Sequence, residues 1–173
     1  MMKWKGILMT MFAILVLAVA GCSKKEVKPV AIDEKNDKCA VCNMAVMDNQ
    51  FATEIILENG KTLVFDDIGC MYKWLGEHKD EKVQARFVRD YNTKDWIEAD
   101  KATYVYDKSI RTPMAYNVIS FKDKKDAEDF VSKNKGTVLT YKELEDHKWE
   151  RNKEMMMKMK QEHGTNMEMN HSH

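Results

Sequence analysis

FATEIILENGKTLVFDDIGCMYKWL, residues 51–75, reads as strand, turn, strand and helix in one run. Phe51 to Leu57 is rich in β-formers, Asn59-Gly60 is a strong hairpin turn signal, and Thr62 to Phe65 returns as a second strand. Asp66-Asp67 marks a helix start, because a short carboxylate accepts the unpaired N–H groups there. Ile68, Met71, Tyr72 and Leu75 then recur at helical spacing, and the helix is expected to end near Gly76 to Lys79. This ββα run sets the fold class: α+β.

Downstream, Lys82 to Tyr91 is strand-like, with Val83, Ala85 and Phe87 on one face. Asn92 to Asp95 is a turn, Trp96-Ile97 a short apolar pair, and Ala102 to Tyr106 another strand. Thr112-Pro113-Met114-Ala115 is a restricted turn opening into a strand that ends at Phe121. Lys122 to Lys133 is an amphipathic helix with Ala127, Phe130 and Val131 inward, and Thr137 to Thr140 a last short strand. A weak internal repeat follows: Met44-Ala45, Phe65 and a charged helix start, then Met114-Ala115, Phe121 and a charged helix start. The expectation is two related ββα-type units, about 39–92 and 93–141, packed as one compact domain over 39–141. In that arrangement Met44 and Met114 would occupy equivalent positions.

Upstream of the first unit lies Cys39-Ala40-Val41-Cys42-Asn43-Met44, with two thiols and a thioether in six residues. If Cys42 to Met44 is extended, those two side chains point to the same side. Zinc prefers thiolate and imidazole, whereas Cu(I) takes thiolate and thioether together. The segment is therefore either a soft-metal site or a short-loop disulfide or redox pair. Cys70, in the first turns of the helix, is either a reactive or ligating thiolate or a small core residue, and the core reading is preferred.

The N-terminus reads as targeting sequence. Lys3 and Lys5 precede an apolar run, Ile7 to Ala20, too short for an ordinary span. Val19-Ala20-Gly21-Cys22 resembles a bacterial lipobox, against which stands an ordinary signal peptide or short anchor. The resemblance implies removal of residues 1–21, lipidation of Cys22 and a place on the extracytoplasmic face of the cell membrane. Residues 22–38, charged and with Pro29, read as a flexible tether. Loss of Lys3 and Lys5 leaves 26 basic against 28 acidic residues, and a nearly neutral chain argues against nucleic acid.

Residues 142–173 read as a charged helix, Tyr141 to Lys160, overlapping a Met- and His-rich tail expected to be disordered. Met155, Met156, Met157, Met159, Met167 and Met169 join His163, His171 and His173 there. These are candidate auxiliary metal ligands, against the alternative of a solvated tail.

Together, Cys-Ala-Val-Cys-Asn-Met, Phe65-Asp66-Asp67 with Cys70, Asp90-Tyr91 with Trp96-Ile97, and Thr112-Pro113-Met114 resemble the NosL family. These are accessory lipoproteins encoded with nitrous-oxide reductase. The resemblance implies a two-unit ββα-type fold, Cu(I) as cargo, and Cys42, Met44 and Met114 as its ligands, with Cys39 a further candidate. It also implies delivery of copper to nitrous-oxide reductase or its assembly factors. Family members commonly carry Gly before the first of these methionines and after the second, where this chain has Asn43 and Ala115. The competing reading is an extracytoplasmic thiol–disulfide oxidoreductase using Cys39 and Cys42, which lacks a βαβ context upstream. A structural zinc module lacks a second ligand pair at usable spacing. No acid–base pair, nucleophile triad or Gly-rich phosphate loop is evident, so a carrier is expected rather than an enzyme.

Overall fold

The structure, a computed structural model, describes the backbone of residues 27–170 and the side chains of residues 27–162. The expected hairpin forms: β1 (Thr53–Leu57) pairs with β2 (Thr62–Phe65) in antiparallel register, Thr53 opposite Phe65. Helix α1 (Ile68–Glu77) follows, with Asp67 as its N-cap accepting the Gly69 N–H. β3 (Val83–Arg89) returns on the other side of β1, and β4 (Trp96–Glu98) closes the sheet in the order β2-β1-β3-β4.

A 3-10 turn (Ala99–Lys101) leads into the second unit. β5 (Thr103–Tyr106) pairs with β6 (Val118–Phe121), Thr103 opposite Phe121. Helix α2 (Lys124–Lys133) follows, and β7 (Thr137–Leu139) returns beside β5 in the order β6-β5-β7. Each unit is thus ββα plus a returning strand, with its first strand central. Phe65 and Phe121 are true counterparts: each ends the second strand, and each helix starts three residues later.

Met44 and Met114 are not counterparts. Met114 lies in the long β5–β6 connection, whose equivalent in the first unit is the tight Glu58–Lys61 turn, while Met44 precedes β1 altogether. The pattern misled because both methionines precede a strand, though not the same strand of the unit.

The two units share a core. Ile55, Leu57, Phe65, Met71 and Trp74 of the first pack in one cluster with Tyr104, Met114, Tyr116 and Val118 of the second. The junction is hydrogen-bonded: Tyr91 N–H donates to Ser120 O at 2.8 Å, and Ser120 Oγ to Arg89 O at 2.6 Å. A smaller cluster, including Val105, Ile119, Phe121 and Ala127, lies under α2.

Two further expectations change. The stretch read as tether belongs to the fold from Val30 onward: Val30 N–H donates to both Glu54 carboxylate oxygens, at 3.0 and 3.1 Å. The single charged helix over 141–160 is two. α3 (Tyr141–Glu145) starts on a Thr140–Glu143 capping box, residues 146–152 are not helical, and α4 (Lys153–Asn170) follows. Tertiary contacts take residues 146–152 out of helix. Trp149 stacks on Tyr72 at 4.5 Å between centroids and meets Tyr116 edge-on at 6.2 Å. Arg151 and Asn152 donate to the Met114 and Ala115 carbonyls. α4 also replaces the disorder expected of the tail through residue 170; its first turn is anchored where Asn117 Nδ2 donates to Met155 Sδ at 3.2 Å.

Candidate metal centre

The segment 38–45 is a closed loop. Lys38 and Ala45 form a β-bridge, Cys39 N–H donates to Met44 O at 2.8 Å, and Asn43 N–H to Cys39 O at 2.9 Å. Ala40 N–H donates to Val64 O at 3.0 Å, which docks the loop on β2. Asn43 has φ +61°, so the chain reverses between Cys42 and Met44. The extended alternation expected there does not occur. Asn serves because its short polar side chain tolerates the left-handed region better than most.

β2 delivers Asp66 and α1 delivers Cys70 to the same place. One carboxylate oxygen of Asp66 and the sulfurs of Cys39, Cys42 and Cys70 all lie within 4.8 Å of one another. Metal–thiolate bonds of about 2.3 Å place two sulfurs on one ion at most about 4.6 Å apart. The four donors therefore sit at nearly the spacing that a single bound ion requires. Cys39 and Cys70 are buried and Cys42 is half-buried, so the cluster opens outward through Cys42.

The electrostatics are those of a site short of positive charge. A hydrogen bond from the Cys70 thiol holds Cys39 down to about 4, and the same bond, with burial, pushes Cys70 well up. Burial pushes Cys42 up to about 12, and its thiol donates to Asp66 Oδ2 at 3.2 Å. Burial and the Cys39 charge push Asp66 up to about 6. Asp66 Oδ1 is buried with no hydrogen-bond partner. An unpaired buried carboxylate oxygen is costly, and a cation bound among these donors would satisfy it.

The structure thus joins Cys39 and Cys42 to two residues read otherwise from sequence. The sequence favours a core role for Cys70 and gives Asp66 only a helix start. No periodicity signals this: Asp66 precedes the helix and the Asp67 cap is extended, so helical i, i+4 spacing does not relate Asp66 to Cys70. Met114 is 7% exposed, and its N–H donates to Oδ2 of Asp67, the neighbour of Asp66, at 3.0 Å. Met44 closes the cysteine loop through its carbonyl, but the residue is 55% exposed. Ala115 takes φ +57° directly after Met114, so both family glycine positions keep a left-handed backbone without glycine.

Along α4, Met155, Met156 and Met159 are half-buried and Met157 is 58% exposed. His163, Met167 and Met169 fall where side chains lie outside the described residues; Cys22, His171 and His173 lie outside them entirely. Among the described residues no helix is long and apolar enough to cross a membrane.

The NosL family model matches residues 29–149. No curated protein matches the chain. Among solved structures, the crystal structure of the copper chaperone NosL from Shewanella denitrificans is similar in fold at 23% identity. The match has a TM-score of 0.60 and covers 67% of this chain and 94% of that one.

Proposed function

The chain belongs to the NosL family, and from that premise we propose that it is a Cu(I) chaperone, a carrier and not a catalyst. The observation that carries this reading is the convergence of three cysteine sulfurs with an unpartnered Asp66 oxygen. Soft thiolates select Cu(I). Cys42 provides the open edge through which an acceptor's ligands attack, and Met44 and Met114 supply thioethers, Met44 from the exposed rim. Binding displaces the Cys42 proton, so affinity falls as pH falls. Met155 to Met159, with His163, Met167, Met169, His171 and His173, form an auxiliary copper-gathering stretch. Lipidated Cys22 tethers the domain to the extracytoplasmic face of the membrane. The recipient is nitrous-oxide reductase or one of its assembly factors, the partner that the family resemblance implies.

Thiol–disulfide exchange is the weaker reading. The low Cys39 favours a nucleophile, but that residue is 2% exposed, whereas a reactive cysteine of this type is accessible.

Anaerobic titration of the reduced protein with Cu(I), against a chromophoric chelator, tests the site. Cys42→Ser and Cys70→Ser should each abolish tight binding, since each removes a charged sulfur donor. Met114→Leu should weaken it about 10–100-fold, as loss of a supporting metal contact does. Removal of residues 155–173 should lower the number of ions bound and leave one tight site. Wild-type affinity in Cys70→Ser would eliminate the buried cluster, and wild-type affinity in Met114→Leu would eliminate the shared thioether.

A further inference from the structure

Residues 146–152 bring a cation to Met114, one of the candidate ligands. Arg151 Nε donates to the Met114 carbonyl at 3.0 Å, and its Nη2 lies 3.9 Å from the Met114 sulfur. The residues on either side fix it there. Asn152 N–H donates to Ala115 O at 2.8 Å and Asn152 Nδ2 to Lys108 O at 3.0 Å, while Trp149 is stacked on Tyr72. Met114 is thus held at both ends, its N–H by Asp67 and its carbonyl by Arg151.

A fixed positive charge beside a cation site repels the ion in proportion to the ion's charge. Thiolates bind Zn(II) as well as Cu(I), so at this centre the thioethers and the net charge are what separate the two. We propose that Arg151 is a charge filter: its guanidinium beside Met114 biases the centre toward a monovalent soft ion and against divalent ions. This rests on the reading of the centre as a Cu(I) site. Arg151 is exposed, so water and salt screen it, and its removal should tighten monovalent binding roughly threefold. A doubled ionic charge doubles the repulsion, so a divalent ion should gain roughly the square of that, roughly tenfold.

The experiment uses the full chain, reduced, in detergent and without oxygen. Cu(I) and Zn(II) affinities are each measured by competition with a chromophoric chelator, for wild type, Arg151→Gln and Arg151→Lys. Arg151→Gln should tighten both ions, Zn(II) by about the square of the factor for Cu(I). Arg151→Lys keeps the charge and should retain wild-type selectivity. Arg151→Leu, neutral and without a ligating atom, replaces the Gln variant if circular dichroism shows that Gln loses the fold. Equal factors for the two ions, weaker binding of both, or a Lys variant that behaves like Gln overturns the filter and leaves the copper function standing. A wild-type chain that takes up no Cu(I) overturns the functional reading itself, and the filter with it.

Discussion

Ala115 holds φ +57° while fully buried. A left-handed backbone costs an L-residue with a Cβ roughly 1–2 kcal/mol, and glycine avoids that cost. Glycine loses more chain entropy on folding, which takes back part of the gain. Ala115→Gly should therefore stabilise the protein by about 0.5–1 kcal/mol, read as a rise in the urea midpoint at unchanged slope. A fall in the midpoint would mean that the buried methyl matters more than the backbone. The strain is tolerated because the loop is fixed at several points. Ala115 N–H donates to Thr112 O at 3.1 Å, its carbonyl accepts from Asn152, and Asn117 Nδ2 donates to Ile110 O at 2.6 Å. At Asn43 the same backbone is less costly, because Asn enters this region more readily.

At the scale of elements, the start of α1 organises the centre. It carries Asp66 before it, Asp67 as cap and Cys70 in its first turn, and it admits Tyr116 from the other unit at Gly69. A Cβ built on Gly69 would stand 1.9 Å from Tyr116 Cγ, far inside contact distance. Helix propensity alone makes Gly69→Ala stabilising by about 1 kcal/mol. The ring cannot move freely, because Trp149 lies against it. Overpacking of this kind costs about 1–3 kcal/mol or more and should win. Gly69→Ala should lower the thermal midpoint and, by shifting Cys70 away from Cys39, weaken Cu(I) binding. A variant more stable than wild type would show that Tyr116 packs elsewhere.

For the whole molecule, buried carboxylates set the pH response. Burial pushes Glu54 up to about 7, and Asp67 up to about 6. A folded value above the ordinary one means that the folded chain binds the proton more tightly than the unfolded chain. Stability from these groups is therefore full at low pH and is lost as pH rises, between about 4.5 and 7 for Glu54. Glu54→Gln keeps an acceptor for Val30 N–H and removes the ionisation. It should flatten the decline across that window, with a gain on the order of 1 kcal/mol at pH 7.5. Denaturation at a series of pH values measures it, and parallel curves for wild type and variant would count against Glu54 as the source.

Local sequence determined most elements. Hairpin turn chemistry at Asn59-Gly60, the Asp67 cap and the apolar spacing along α1 and α2 are short-range signals, and short-range physics suffices to form them. The repeat was legible too, through Phe65 and Phe121. Cys39 and Cys42 were legible as donors because they share one loop. What only tertiary structure decided lies across long separations: Cys70 and Asp66 joining that loop, Met114 hung from Asp67, and Arg151 laid against Met114. None of these has a periodic signature, since each is fixed by how two ββα units share one core. The same cause broke the expected C-terminal helix. Residues 146–152 gain more from stacking Trp149 on Tyr72 and bonding the 114–115 carbonyls than from continuing a helix with few apolar residues to bury.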